Sequence, residues 1–173
     1  MAIRKILTYP NQILRQKAEA VTSFDDSLRQ LANDLAETMY AAPGAGLAAN
    51  QIGVSLRVVV VDVSKNKEEK KHLVLVNPEI IEKEGCQIDE EGCLSVIDLT
   101  ANVERYSKLV VRAQDPDGKT WEFPAEDFFA RVIQHEIDHL NGILFIDHLS
   151  SLKRSLYKRR LKKLLRDKEK ESA

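Results

Sequence analysis

The sequence predicts an α+β fold: mostly antiparallel strands packed around a central helix that carries a His-Glu-x-x-His motif, with a further helix at the C-terminal end. Three observations lead there. Apolar residues recur at helical spacing in two segments, around Leu28–Met39 and Phe128–Leu140. Between them lie short apolar runs broken by turn residues, among them four consecutive valines, Val58 to Val61. The last segment mixes leucines with many basic residues, the pattern of an amphipathic helix.

Each element follows from its residues. Leu28, Leu31, Ala32, Leu35 and Met39 define the first helix, with Ser23 or Asp25 as its N-cap and Pro43-Gly44 as its stop. Leu56 to Val63 reads as a buried strand, His72 to Val76 as another, and Ile80-Ile81 as part of a third. Val103 to Ala113 and Lys119 to Phe123 flank Asp115-Pro116-Asp117-Gly118, which has the chemistry of a hairpin turn. A helix follows over 126–141, with acids in its first turn, Gly142 as its stop, and Phe128, Val132, Ile133, Ile137 and Leu140 as its buried surface. The final helix spans about 149–168, carrying Leu152, Leu156, Leu161, Leu164 and Leu165.

At 173 residues the chain is expected to form one domain, residues 1–173. A composition of 43% apolar and 31% charged residues is that of a soluble globular protein. No apolar stretch approaches a bilayer span, and the first residues lack the apolar core of an export signal, so a cytoplasmic protein without membrane contacts is expected. Two cysteines, Cys86 and Cys93, are too few for a disulfide scaffold and are expected as free thiols. The net charge of −1 conceals a split: residues 151–173 carry ten basic against three acidic side chains, whereas residues 1–150 sum to −8.

The most informative segment is His135-Glu136-Ile137-Asp138-His139. On a helix the two imidazoles share one face, one turn apart, and can fill two corners of a tetrahedral metal site. Glu136, beside the first of them, is placed to handle the protons of water brought to that metal. The reaction class is metal-assisted hydrolysis. Two histidines making ordinary hydrogen bonds on a core helix are the competing explanation, but Glu136 and Asp138 would then be costly to bury without a role.

A catalytic site needs a third protein ligand. The metzincin spacing would put a histidine at position 145, where Phe145 stands and cannot ligate. His148 lies beyond the helix stop at no recognised spacing, and Glu169 and Glu171 sit in the basic tail. Cys93 is better placed, because Gly92 lets the backbone of Glu90-Glu91-Gly92-Cys93-Leu94-Ser95 approach closely. Its alternative is a buried small hydrophobe, a description that suits Cys86 better.

Three segments, in order, resemble the motifs of the peptide deformylase family: Gly44-Ala45-Gly46-Leu47-Ala48-Ala49-Asn50-Gln51, Glu91-Gly92-Cys93-Leu94-Ser95, and Gln134-His135-Glu136-Ile137-Asp138-His139. The opening and the DPDG hairpin are also similar to the family's, so the resemblance covers nearly the whole chain. It implies removal of the formyl group from the N-terminal methionine of new polypeptides, with release of formate. It implies a metal held by Cys93, His135 and His139, typically Fe²⁺, with Zn²⁺ or another divalent ion able to take its place. Glu136 is then the general base and acid, while Gln51 and the backbone N–H of Leu94 stabilise the oxyanion. The groove for the N-formylmethionyl nascent peptide is expected to be lined by Ala45, Gly46, Glu91, Phe128, Arg131 and Val132. A Rossmann reading of Gly44-x-Gly46-x-x-Ala49 fails, since a predicted helix and not a strand precedes it.

The chain departs from the family where Ala45 stands between the two glycines, where Val96-Ile97-Asp98-Leu99-Thr100 replaces a segment often carrying Pro and Arg, and at Arg131, commonly aliphatic. Arg131 is expected at the groove's rim, its stem packed and its charge in water; an acidic substrate group is the alternative partner. Asp138 is expected either to orient the site by pairing with Arg105, with Glu91 nearby, or to form an ordinary surface pair. The basic helix reads as a solvated amphipathic helix docked through its leucines, or as a contact for ribosomal RNA, which would be salt-dependent. No DNA partner is expected. A zincin-type endopeptidase and an RNA-binding protein with a structural metal are the competing functions.

Overall fold

The structure, a computed structural model, describes residues 2–171. In chain order its elements are α1 (Asp26–Ala41), β1 (Gly46–Ala48), β2 (Val58–Val61), β3 (Leu73–Glu84), β4 (Gln87–Cys93), β5 (Val96–Arg105), β6 (Lys108–Gln114), β7 (Thr120–Glu126), α2 (Asp127–Leu140) and α3 (Ser151–Glu171), with short 3-10 turns between several of them. β1, β2, β3, β6 and β7 form one antiparallel sheet in that order, and β4 pairs with β5 as a separate two-stranded unit. The fold is α+β.

The four valines are all buried because both faces of β2 are covered. Val59 and Val61 pack in the core that includes Ile133, Ile137 and Leu140 of α2, while Val58 and Val60 pack with Leu28, Leu31, Leu35 and Met39 of α1. Full burial of each such side chain contributes about 1.5–3 kcal/mol. Asp25 caps α1, its carboxylate accepting from Leu28 N at 3.1 Å. α2 ends where Gly142 takes a φ of +75°, and a Cβ there would run into the backbone of Arg15.

Several expectations need correction. Ile80 and Ile81 belong to the same strand as Leu73–Val76: β3 continues through Asn77-Pro78 by means of register shifts. Val103 to Ala113 is not one strand but the end of β5 and most of β6, which lie in different sheets. Phe128 is 57% exposed, so it is not part of the buried face of α2. In α3 only Tyr157 and Leu161 are buried, and Leu152, Leu156 and Leu165 are exposed, so docking through the leucines does not hold for most of them. No helix among the described residues is long and apolar enough to cross a membrane.

Candidate active site

Three segments line a cleft of about 550 Å³: the β1 region, the β4–β5 hairpin tip and α2. Cys93 is the last residue of β4, and Leu94-Ser95 makes the turn into β5. His135 and His139 sit one turn apart on α2. Cys93 Sγ lies 3.3 Å from His139 Nε2, and the two Nε2 atoms lie 3.2 Å apart. The three ligand atoms all fall within 4.8 Å of one another. With metal–nitrogen bonds of about 2.0–2.1 Å and a metal–sulfur bond of about 2.3 Å, the edges of a tetrahedral site are about 3.3–3.6 Å. The donor set therefore fits one small divalent ion.

Neighbours hold these donors in place. His135 Nδ1 pairs with Glu91 Oε1 at 2.9 Å, which turns Nε2 toward the other two ligands. Ser95 N and Gln51 Nε2 approach the sulfur at 3.4 and 3.8 Å. Asn50 Nδ2 donates to the backbone oxygen of His139. Burial drives the His139 pKa well below its ordinary value, keeping a neutral ring suited to ligation. Burial works the same way on His135, but hydrogen bonds with Cys93 and Glu91 overcome it and raise that pKa.

Glu136 is 4% exposed, and its Oε2 has no partner among the described residues. Burial pushes its pKa up to about 7, helped by Glu91 and Asp138 against His135 and Arg105. Gly46 makes the site possible from the other side. A Cβ there would stand 2.9 Å from Glu136 Cγ and Oε1 and 3.0 Å from Val132 Cγ1, so β1 can pack on α2 only through a glycine. Gln51 is buried with its amide oriented: Oε1 accepts from Ala48 N at 2.9 Å and Nε2 donates to Ser95 Oγ at 3.0 Å.

Arg131 is not at the rim. It is 3% exposed, donating through Nη1 to Glu91 Oε2 and to Val103 O, the latter at 2.9 Å. The reason is spatial: β4 lies over this face of α2, so the stem that was expected to reach water ends beneath the hairpin, on Glu91. Arg105 holds the same carboxylate through Nε at 2.8 Å and Nη2 at 2.9 Å, and reaches Asp138 Oδ2 at 2.6 Å. Burial raises the Glu91 pKa, but Arg105 and His135 outweigh it and hold the carboxyl well below the usual range. The surface-pair reading of Asp138 fails, since Arg105 is buried. Sequence reasoning located Arg105 and Glu91 but not Ser95 and Asn50, whose roles depend on contacts across the fold.

The residues expected in the groove, Ala45, Gly46, Glu91, Phe128, Val132 and also the buried Arg131, all line the cleft, as do Leu94 and Thr100. Phe145 is buried with its ring 6.3 Å from that of His135 and offers no ligand atom. His148 pairs with Asp138 at 2.9 Å and is not among the converging ligands. Cys86 is exposed rather than a buried hydrophobe.

A buried carboxylate beside a Cys-His-His group able to hold a metal, at a cleft, is an arrangement suited to metal-assisted hydrolysis. The family model described as polypeptide deformylase matches residues 3–155, and the chain belongs to that family. The peptide deformylase of Desulfotalea psychrophila is 58% identical over 164 residues, 94% of this chain and 97% of that protein. Among solved structures, a peptide deformylase from Legionella pneumophila has a TM-score of 0.89 at 50% identity, covering 96% of this chain and 98% of that one. The class I type b peptide deformylase from Acinetobacter baumannii, in its Met-Ala-Ser-bound crystal structure, has a TM-score of 0.81 at 35% identity, covering 86% and 99%.

Proposed function

We propose that the protein removes the formyl group from the N-terminal formyl-methionine of newly made polypeptides and releases formate. One observation carries the reading: Cys93, His135 and His139 converge beside Glu136 and the fixed amide of Gln51, at a cleft large enough for a short peptide. Cys93, His135 and His139 would hold a divalent ion, Fe²⁺ by resemblance to the family, with Zn²⁺ or another divalent ion as substitutes. When bound, that ion supplies a Lewis acid that polarises a carbonyl and lowers the pKa of water toward about 7.

The chain's own residues supply the rest. Glu136, with its pKa pushed to about 7, accepts a proton from the attacking water at its carboxylate and gives it to the departing amine. Gln51 has its Oε1 committed to Ala48 and one Nε2 hydrogen to Ser95; the second makes only a long 3.8 Å contact with Cys93 Sγ, which the formyl oxygen would replace as it gains charge. The backbone N–H of Leu94, in the turn after Cys93, is the second donor in this reading. Ala45, Gly46, Val132 and Phe128 form walls against which a methionine side chain can pack. Arg131 acts on the substrate indirectly, by fixing Glu91. The bound Met-Ala-Ser of the Acinetobacter baumannii relative has the chemistry of the deformylated product, which supports this assignment.

The test compares formyl-Met-Ala-Ser with acetyl-Met-Ala-Ser, anaerobically with Fe²⁺. One formate and one new amine per turnover are expected from the first peptide, and little reaction from the second, whose added methyl crowds the carbonyl carbon. Equal turnover of both, or cleavage at an internal peptide bond, would favour the zincin-type reading.

The substrate is made on ribosomes, in the cytoplasm, and α3 offers a contact there. Lys158, Arg159, Lys162 and Lys163 are exposed on it. Changing these four to Glu is expected to remove salt-sensitive co-sedimentation with ribosomes. Co-sedimentation that survives the change would rule out the contact.

A further inference from the structure

The segment that follows Cys93 enters β5 with an irregular pairing. Gly92 pairs with Thr100 and Cys93 pairs with Val96. One step along β4 thus corresponds to four along β5, and Ile97, Asp98 and Leu99 bulge out of the pairing with no residues opposite them. Asp98 takes a φ of +55°, in the left-handed region. The bulge begins immediately beside the Cys93–Val96 pair, and Asp98, Leu99 and Thr100 line the cleft.

A bulge of this kind has lost its ladder hydrogen bonds and needs other support. α3 provides it. Tyr157 Oη donates to Ile97 O at 3.0 Å, and the guanidinium of Arg160 donates to Asp98 O. The two carbonyls held are successive ones of the bulge. Tyr157 and Leu161, the buried residues of α3, lie in one core cluster with Val96 and Val103, and Leu99 packs against it. A helix of 21 residues that buries only two side chains contributes little core surface for its length. Its docking point coincides with the wall of the cleft.

We infer that α3 is a strut for the substrate cleft, with Tyr157 and Arg160 as positioning residues that hold the 97–99 bulge where the peptide lies. The inference rests on the reading of the cleft as a formyl-peptide site. Neither side chain lines the cleft, so neither touches the reacting atoms. Loss of either hydrogen bond loosens the wall, weakens peptide binding and leaves the chemistry at Glu136 intact.

The experiment uses the full chain and the variants Tyr157→Phe, Arg160→Met and Arg160→Lys. KM and kcat are measured with formyl-Met-Ala-Ser, and the Kd of Met-Ala-Ser is measured by calorimetry. For Tyr157→Phe and Arg160→Met, KM and Kd are expected to rise about threefold to tenfold, the scale of one hydrogen bond, with kcat within about twofold. Arg160→Lys, which can still donate to Asp98 O, is expected to recover most of the affinity. Thermal midpoints should fall by no more than about 4 °C, so that KM does not merely report unfolding. Lower midpoints with unchanged KM and Kd would make α3 a structural element only and overturn the inference. Should Tyr157→Phe fold poorly, exposed Arg160 carries the test alone. A wild-type protein that binds Met-Ala-Ser but yields no formate would sink the proposed reaction, leaving the strut to be judged by the Kd values.

Discussion

Glu136→Gln is expected to slow formate release by about 10²–10⁴-fold while metal content stays at the wild-type level. Gln preserves the shape and the close approach to Gly46, so the three ligands are expected to remain where they are. What it removes is the ability to take a proton and return it. Burial has pushed this carboxyl to about 7, which places its two protonation states close in free energy near neutral pH. That is the property a group needs when it acts as base toward water and then as acid toward an amine. Rapid kinetics should show the loss in kcat, with KM little changed, because Glu136 is proposed to bind no ground-state group. A Gln variant that turns over within tenfold of wild type would remove Glu136 from the chemistry.

The largest effect on stability is expected from Glu91→Ala, at about 3–5 kcal/mol by urea unfolding. Glu91 neutralises two guanidiniums that are each nearly inaccessible: Arg105, with a side chain 4% exposed, and Arg131, at 3%. Removing the carboxylate leaves both cations buried, with Arg131 reduced to carbonyl partners and Arg105 to Asp138 and His148. The same change frees His135 Nδ1, so metal affinity should fall by about 10–100-fold. Asp138→Ala is the control. Its side chain is 20% exposed and it meets only one of the two guanidiniums, so the loss should be clearly smaller. A Glu91→Ala variant that loses under about 1 kcal/mol would show that water reaches these arginines.

Much of the site was legible in the sequence because its parts are local. Two histidines four apart, a carboxylate between them and a glycine stop describe α2 without reference to the rest of the chain. The β4–β5 unit was not legible. β4, Gln87–Cys93, buries only Glu91, so the apolar alternation that reveals a strand is missing; what holds it is pairing with β5 and the charge on Glu91. Phe128 had the helical period of a core residue, yet its place in the first turn of α2 puts it at the open cleft. Arg131 was misplaced for a related reason. Helical spacing put it on the same face as His135, but a guanidinium goes to water only if nothing anionic covers that face, and Glu91 arrives there from a segment 40 residues away. Long-range charge pairing has no signature in a local pattern. The leucines of α3 share that limit: their spacing describes a helix, and only the fold shows which one or two of them meet the body.

The claim that Cys93, His135 and His139 hold the ion that makes deformylation possible is tested most directly by titrating metal-stripped protein with Fe²⁺ under anaerobic conditions, following formate release from formyl-Met-Ala-Ser against bound metal. Activity should be negligible in the stripped protein, rise in proportion to occupancy and level off at one ion per chain, with Cys93→Ala failing to reach that plateau. Full turnover by the stripped protein, or no formate at one bound ion per chain, would contradict it.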